Sequence, residues 1–389
     1  MRILVATGSF KDVYSPSEAA AVIANALDGS KNEIITLPFC DGGEYTYDVL
    51  RERFDYEEVT VSGVLNPYGK TVTSHYLLAG DTAHIVSSCI LRLYPEEDQY
   101  KNPLTLTDYG FGQLIADALS RGCRHLVLYF GGTSTVSCGM GTVQALGVKL
   151  YDESGNRMTH PCTGGDLARI SHIDVSGALH PEITVHVIGD GNSKTDALPG
   201  ITALKVGKSF SSEKAEIVSV STSGVNNILR LTGIAPEKDF TGAAGGLLFG
   251  LEQIFPNVAY TLGGLYFKDI LDVENQISRC DLVITGEGRY DNTADGKAPS
   301  VIASLSKKCG KPAYLVCGQI EKKAVRHYAG GIIDCSEEPQ FSAQGIEKLI
   351  TAQEYYDSVS LPQSYAECIE FFRSRTPSLL EFPISNFLY

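Results

Sequence analysis

The densest group of ionisable residues with catalytic potential follows a predicted strand near residue 285. The stretch from Thr285 to Asp291 mixes glycines with charged residues, and Lys297 comes just before a helix predicted from Pro299. Burying several charges in one place is costly unless they are paired or bind a ligand. The pattern therefore favours a functional role for Glu287, Arg289, Asp291 and Lys297 over structural ion pairing.

Two turns nearer the N-terminus are weaker candidates. Ser9 and Lys11 follow the first predicted strand, where they could hold a phosphate or a carboxylate. A solvated lysine beside a capping serine is the simpler explanation of these two residues alone. The second turn consists of Asp41, Gly42, Gly43 and Glu44. Its glycines permit close backbone approach and its carboxylates suit a metal ion or a hydroxyl group, although an acidic turn at a helix start explains it nearly as well.

Three further loops follow predicted strands or open a predicted helix. Gly131, Gly132 and Thr133 could present amide groups to a phosphate, but the lysine of a Walker loop is absent. Asp190 follows another strand and glycine. A run of small residues before a helix could admit a nucleotide closely, with tight helix packing as an equal alternative; its glycines are Gly242, Gly245 and Gly246.

Composition excludes several classes of partner. The chain has 389 residues with 46 acidic and 32 basic side chains, a formal net charge of −14. Such a chain lacks a general field to attract nucleic acid or an anionic membrane. The ten cysteines form no C-x-x-C pair, the N-terminus does not resemble a signal peptide, and no run approaches the ~20 apolar residues of a membrane span. A cytoplasmic protein with reduced thiols is expected.

The elements that must position these residues follow a repeated order of strand, glycine turn and helix, which is typical of a parallel α/β fold. Strands are predicted at Arg2–Ala6, Leu126–Phe130, Ile183–Ile188, Asp281–Thr285 and Ala313–Cys317. Helices are predicted at Ser17–Leu27, Gly141–Leu146 and Pro299–Lys307. The alternating stretch Val59–Leu78 predicts a hairpin, with its turn at residues 66–69, that marks a crossing between domains.

We therefore expect two α/β domains. The first has a parallel sheet of Rossmann or flavodoxin type and is discontinuous, comprising residues 1–65 and 250–389. The second is inserted between these parts at residues 66–249, and both boundaries are approximate.

The segment from Gly286 to Pro299 resembles the signature of the class I glycerate kinase family. Other segments agree in order, over about residues 1–330: Ser9–Lys11, Ser17–Ala20, Asp41–Glu44, Asn102–Leu104, Tyr109–Gly112, Gln144–Gly147 and Gly242–Gly250. The resemblance implies a two-domain α/β fold whose first domain is discontinuous. It also implies transfer of the γ-phosphate of ATP to D-glycerate, with Mg²⁺, to give 2- or 3-phosphoglycerate.

Phosphoryl transfer requires the protein mainly to position its substrates and stabilise charge. The resemblance implies catalytic roles for Lys11, Asp41, Asp190, Arg289 and Lys297. It implies metal binding by Asp190 and Glu287. Nucleotide or substrate binding is expected of Ser9, Gly42, Gly43, Glu44, Gly131, Gly132, Thr133, Gly242, Gly245, Gly246, Glu287 and Asp291.

The sequence departs from the family pattern at several polar positions. Gly8 replaces an aspartate, Val136 and Ser137 replace an Asn-Asp pair, and the loop at Asp190 keeps one aspartate of two. Either the chain phosphorylates D-glycerate or a related small hydroxy acid, or it is a silent paralogue that binds a nucleotide or small anion. A nicotinamide-dependent dehydrogenase would need a Gly-x-Gly-x-x-Gly loop and a later acidic residue, and no loop meets both requirements. A monomer and a homodimer both remain open.

Overall fold

The computed structural model describes residues 1–10, 14–27, 32–93, 95–179, 182–290, 296–320 and 331–334. Its strands are β1 (Arg2–Thr7), β2 (Glu33–Thr36), β3 (Glu57–Leu65), β4 (Thr71–Ala79), β5 (Thr82–Val86), β6 (His125–Phe130), β7 (Lys149–Asp152), β8 (Ile170–Asp174), β9 (Thr184–Gly189), β10 (Val258–Leu262), β11 (Leu282–Tyr290), β12 (Ala313–Ile320) and β13 (Gly331–Asp334).

The α-helices are α1 (Pro16–Leu27), α2 (Thr46–Arg53), α3 (Ser88–Leu91), α4 (Pro95–Asp98), α5 (Tyr109–Ser120), α6 (Met140–Ala145), α7 (Leu198–Lys205), α8 (Lys214–Thr232), α9 (Leu247–Ile254), α10 (Gly263–Ile270), α11 (Val273–Ser278) and α12 (Ala298–Lys308). Even α8, the longest described helix at 19 residues, lacks the sustained apolar sequence that crossing a membrane requires.

The chain folds into two compact units. Unit 1 comprises Met1–Asp41 with Gly264–Tyr389, and unit 2 comprises Gly42–Gly263. The sequence predicted a discontinuous first domain interrupted by a second, with boundaries near residues 65 and 250. In the structure the boundaries lie at 41 and 263 because β3 pairs with β4 along its whole length and therefore folds with the inserted unit.

Unit 1 contains a parallel sheet in the order β13-β12-β11-β1-β2. Its central strands are apolar and buried over Ile3–Ala6 and Leu282–Ile284, as strand segments covered on both faces must be. Helix α1 begins with a capping box, because Ser15 Oγ accepts from Glu18 N at 3.2 Å and Glu18 Oε2 accepts from Ser15 N at 2.8 Å. Ile23 of this helix packs in the core with Ile3 and Val5.

Unit 2 contains a six-stranded sheet in the order β10-β9-β6-β5-β4-β3 and a separate β7-β8 pair. Strands β10, β9, β6 and β5 are parallel to one another, whereas β4 pairs antiparallel with both β5 and β3. The predicted hairpin is confirmed, and its turn is closed by a hydrogen bond from Gly69 N to Asn66 O at 2.9 Å. It forms the edge of this sheet within unit 2, so the prediction that it marks a crossing between domains was wrong.

The parallel α/β class is confirmed, and the predicted strands and helices are present within a few residues. One strand is longer than predicted: β11 continues to Tyr290 rather than ending near Thr285. Pairing with β1 stops at Gly286, but pairing with β12 continues through Glu287, Arg289 and Tyr290. The predicted charged loop is therefore partly an extended strand end.

Candidate active site

In unit 1 the chain after β1 continues along the extended end of β11. Gly8 N donates to Gly286 O at 2.9 Å, and Gly288 N donates to Ser9 O at 3.2 Å. These bonds place Ser9 beside the segment that carries Glu287 and Arg289. Glu287 is half-buried and Arg289 is exposed, and their spacing of two residues places them on the same face of the strand.

The N-terminus of α12 lies at this same edge. A Cβ on Gly8 would lie 3.3 Å from Ala298 Cβ, so the position where the family has aspartate contacts the first residue of α12. Lys297 caps this helix by its backbone and is half-buried. A helix N-terminus favours negative charge, and Arg289 and Lys297 add positive side chains to it. The edge can therefore hold an anionic group.

Asp41 reaches the carboxyl edge of the unit 1 sheet. Leu37 N donates to Val5 O at 2.8 Å and Phe39 N donates to Thr7 O at 2.9 Å, so this segment runs beside the end of β1. Asp41 follows two residues later and is half-buried. Two other predicted site residues of unit 1, Lys11 and Asp291, lie outside the described residues.

In unit 2 the candidate residues lie at the ends of three parallel strands. Ser87 follows β5, and its hydroxyl bonds to both backbone polar groups of Gly131. The hydroxyl donates to Gly131 O at 2.9 Å and accepts from Gly131 N at 3.1 Å. Asp190, which follows β9, donates its amide to Phe130 O at 3.1 Å. The loops after β5, β6 and β9 are thus joined at one edge, where parallel sheets bind ligands.

The glycines of this edge allow close approach between backbones. A Cβ on Gly131 would lie 2.5 Å from Gly43 Cα and 2.6 Å from Asp190 Oδ2. A Cβ on Gly42 would lie 3.0 Å from Ile188 O, and the φ of Gly42 is +92°. The structure therefore brings the predicted turn after Asp41 onto the loop after β6. At least part of the glycine requirement is packing between these two segments.

Glu44 and Gly132 belong to the same contact. A Cβ on Gly132 would lie 2.8 Å from Glu44 Cγ, so the Glu44 side chain passes directly over this glycine. Glu44 Oε1 also lies 3.9 Å from Arg92 Nε, and both side chains are half-buried. This ion pair neutralises one of the predicted acidic residues, and Arg92 is a basic residue that the motifs did not indicate.

A lysine from helix α7 holds the loop after β6. Lys205 Nζ donates to Thr135 O at 2.8 Å and to Thr133 Oγ1 at 3.2 Å. Burial, and secondarily the neighbouring Lys101, lowers the pKa of Lys205 to about 7, while Asp190 opposes that shift. The side chain retains some exposure along its length, so burial acts mainly on the ammonium group.

The glycines near residue 245 pack against protein backbone. A Cβ on Gly242 would lie 2.3 Å from Lys194 O, and one on Gly245 would lie 1.9 Å from Thr135 O. Gly246 has a φ of +84° and lies against Cys138 and the Phe249 ring. Packing thus accounts for these three glycines, and a nucleotide contact there stays a prediction.

Position 137 belongs to a buried network. Ser137 Oγ donates to Asp108 Oδ2 at 2.6 Å, and the Asp108 carboxylate also accepts from Gly139 N at 3.0 Å and Thr142 N at 2.6 Å. Burial raises the pKa of Asp108, and these hydrogen bonds oppose the shift. Val136 is buried in the apolar core. In this chain the two positions that replace the family's Asn-Asp pair are therefore scaffold, and Asp108 provides a carboxylate there.

Sequence reasoning missed Arg92, Lys101, Asp108 and Lys205. Each lies outside the glycine motifs and joins the site through tertiary contacts. Asp108 directly precedes the segment Tyr109–Gly112, which is one of the segments that agree with the family. This is the only local signal among the four residues. Lys205 lies about 70 positions from the loop it contacts, and no spacing rule connects the two.

The residues fit Mg²⁺ in one specific way. Within the described ranges, no group of three or more His, Cys, Asp or Glu side chains is arranged to hold a metal ion. Mg²⁺, however, is commonly bound through one or two carboxylates, with water and substrate phosphates as its other ligands. Asp190 in unit 2 and Glu287 in unit 1 are each a half-buried carboxylate at a strand end, which suits that mode.

Comparisons with known proteins agree with this geometry. The model of the glycerate kinase family matches residues 3–351. The glycerate 2-kinase of Escherichia coli (strain K12) is 32% identical over 339 residues, covering 82% of this chain and 86% of that protein. The glycerate kinase of Bacillus subtilis (strain 168) is 30% identical over 347 residues, covering 85% and 88%.

A solved structure is also similar. The crystal structure of a protein described as glycerate kinase 2 from Salmonella typhimurium LT2 matches with a TM-score of 0.65 and 27% identity. The match covers 92% of this chain and 98% of that one.

Proposed function

This chain belongs to the glycerate kinase family and is a kinase, and from that premise we propose that it transfers the γ-phosphoryl group of ATP to a hydroxyl of D-glycerate. The observation that carries the proposal is the joined edge of unit 2, where Gly131, Asp190 and Lys205 meet at the ends of parallel strands. Glycine amides, a carboxylate and an ammonium can position phosphates and stabilise charge, which is mainly what phosphoryl transfer asks of a protein.

The positively charged groups bind and orient the anionic parts of the substrates. In unit 2 this role falls to Lys205 and to the amides of the loop after β6; in unit 1 it falls to Arg289, Lys297 and the N-terminus of α12. Asp41 and Asp190 are the candidates for accepting the proton of the acceptor hydroxyl. Lys11 and Asp291 keep their proposed roles from the family resemblance.

Asp190 and Glu287 are the proposed ligands of Mg²⁺. When bound, this ion neutralises charge on the phosphate oxygens of the nucleotide. Asp190 cannot hold the metal and accept the proton in the same step. If substitution of Asp41 abolishes turnover, Asp41 is the proton acceptor and Asp190 is left as a metal ligand. The name of the E. coli relative supports the 2-hydroxyl of D-glycerate as the acceptor.

The test is release of ADP by the purified chain with Mg-ATP and D-glycerate, followed by a panel of other small hydroxy acids and sugar acids. Phosphorus NMR of the product distinguishes the 2-phosphate from the 3-phosphate. Turnover on another acid but not on D-glycerate would overturn the substrate assignment. Binding of ATP without turnover on any acceptor would favour the silent paralogue instead.

A further inference from the structure

The turn at residues 42–45 of unit 2 holds a bulky residue in a rare backbone conformation. Tyr45 directly precedes α2 and has a φ of +64°, in the left-handed region that such residues seldom adopt. This conformation persists only where the surrounding structure imposes it, and it is common at functional sites. The turn determines the direction in which the side chain of the preceding residue, Glu44, leaves the backbone.

Arg92 contacts two successive residues of this turn. Its Nε lies 3.9 Å from Glu44 Oε1, and its guanidinium carbon lies 6.0 Å from the centre of the Tyr45 ring, which is the range of a cation–π contact. The Glu44 side chain is only 19% exposed, so solvent and salt screen this ion pair less than a surface pair. One guanidinium therefore contacts both the carboxylate and the residue with the rare φ.

The backbone that carries Arg92 is attached to the loop after β6. Leu91 O accepts a hydrogen bond from Ser134 N at 2.9 Å and another from Ser134 Oγ at 2.6 Å. Leu91 and Ser134 are both buried. Arg92 follows Leu91 directly, at the end of α3. Its side chain thus joins the turn at residues 42–45 to a point that is fixed on this loop.

Glu44 lies against the same loop. A Cβ on Gly132 would lie 2.8 Å from Glu44 Cγ and 3.0 Å from Ser88 Cβ, so Glu44 and the first residue of α3 both approach this glycine closely. The Glu44 side chain is therefore placed at the edge where the strand ends of unit 2 meet. A carboxylate at this edge offers hydrogen-bond acceptors to a hydroxyl group.

The charge of Arg92 also reaches α2. Burial raises the pKa of Asp48, and the positive charges of Arg51 and, more weakly, Arg92 oppose this shift. Arg92 thus acts on two partly buried carboxylates, Glu44 and Asp48. Its removal would leave both with less positive charge nearby, and Glu44 would lose a contact that favours its observed position.

We propose that Arg92 is a positioning residue of the phosphoryl-transfer site, which holds the Glu44 side chain at Gly132 by contacting Glu44 and Tyr45 from the end of α3. Glu44 accepts a hydrogen bond from a hydroxyl of the substrate, and Arg92 acts through it. Arginine suits this role because its planar guanidinium can pair with a carboxylate and also cover an aromatic ring. The inference deepens the proposed function and rests on it for the identity of the reaction.

The first experiment compares the kinetics of Arg92→Met, Glu44→Gln and the double variant with Mg-ATP and D-glycerate. A displacement of about 1 Å at an active site can cost about 100-fold in rate, and we expect kcat/KM to fall about tenfold or more in each single variant. Because Arg92 acts through Glu44, the double variant should be no more impaired than Glu44→Gln alone. Arg92→Lys should lose less than Arg92→Met, since it keeps the charge.

Arg124→Met is the matched control. It removes an exposed arginine that precedes β6, at the opposite end of that strand from the loop, and should retain the kcat/KM of the parent chain. Losses that multiply in the double variant would overturn the proposal, because Arg92 would then act independently of Glu44. An Arg92→Met enzyme as active as Arg124→Met would also overturn it.

The second experiment measures the contact without turnover, by amide hydrogen exchange of the full chain. In Arg92→Met, and less in Arg92→Lys, the amides of residues 42–48 should exchange faster, while those of β8 in the same unit should be unchanged. Glu44→Gln weakens the same contact from its other partner, so it provides this result even if Arg92→Met does not fold. Unchanged exchange at residues 42–48, or equally faster exchange throughout unit 2, would contradict a positioning role.

The two experiments separate this inference from the proposed function. If the parent chain transfers no phosphoryl group but exchange changes only at residues 42–48, the kinase assignment fails and the contact of Arg92 with Glu44 stands. If the parent chain and Arg92→Met turn over D-glycerate equally well, the proposed function stands and the positioning role fails.

Discussion

The carboxyl edges of the two parallel sheets carry their charges in different ways. In unit 1, Glu287 and Arg289 lie on the extended end of a single strand, with Lys297 at the start of the next helix. In unit 2, the strand ends carry mainly glycines and hydroxyls. Apart from Asp190 after β9, the charged groups come from other segments: Glu44 before α2, Arg92 after α3, Lys101, and Lys205 at the end of α7.

This difference determines what each edge depends on. The unit 1 edge is supported by the β-ladder itself, because Gly8 and Ser9 continue the pairing of β1 with β11. The unit 2 edge is an assembly of loops that must be fixed by side chains. Ser87 fixes the start of the loop after β6, Lys205 fixes its middle, and Asp108 fixes the residues that follow. Substitutions that disturb this support should therefore affect unit 2 more strongly.

The largest effect is expected at the buried carboxylate of unit 2. Asp108→Ala leaves the Ser137 hydroxyl and the amides of Gly139 and Thr142 without their acceptor, so the free energy of unfolding should fall by about 3 kcal/mol or more. Denaturant titration measures the loss. Asp81→Ala removes an exposed carboxylate of the same unit and should cost less than about 1 kcal/mol. Equal losses in the two variants would contradict a special role for Asp108.

The next effect concerns the close approach of loops in unit 2. In Gly131→Ala the new Cβ would overlap Gly43 Cα and the Asp190 carboxylate, so both must move. Because catalysis depends on placement to within about 1 Å, kcat/KM for phosphoryl transfer should fall about 100-fold. Gly191→Ala is the control, since a Cβ there meets nothing within 4 Å. A Gly131→Ala enzyme as active as Gly191→Ala would show that this edge tolerates displacement.

A smaller effect is expected in unit 1. Arg289→Ala removes an exposed charge from an edge that the β-ladder supports, so stability should stay within about 0.5 kcal/mol of the parent chain. The kcat/KM value should fall roughly tenfold through loss of one interaction with an anion. Arg279→Ala removes an exposed arginine that precedes β11, at the other end of that strand, and should leave kcat/KM unchanged. Identical kinetics in the two variants would remove Arg289 from the site.

The same contrast explains how far the sequence could predict the structure. Alternating strand and helix patterns predicted the parallel α/β class and the elements that carry the candidate residues, because those patterns are local. The charged segment at residues 286–297 was identifiable since its residues are consecutive or nearly so. The extension of β11 was not, because it depends on pairing with β12 beyond the point where strand β1 ends.

Long-range assembly accounts for what was missed in unit 2. Lys205 appears as an ordinary residue at the end of a helix, and only the fold brings it to Thr133 and Thr135. Ser137 first suggested the loss of a family carboxylate. The structure instead shows that Asp108, at the start of α5, accepts a hydrogen bond from the Ser137 hydroxyl. A comparison of motifs position by position cannot show that a carboxylate or an ammonium group reaches a loop from a distant part of the chain.

The most direct test of the central claim is a single phosphorus NMR time course of the purified chain with Mg-ATP and D-glycerate. We predict that phosphoglycerate and ADP accumulate together in equal amounts, with 2-phosphoglycerate as the product. ATP hydrolysis without phosphoglycerate, or bound ATP and D-glycerate that remain unchanged over the whole course, would contradict the assignment of this chain as a D-glycerate kinase.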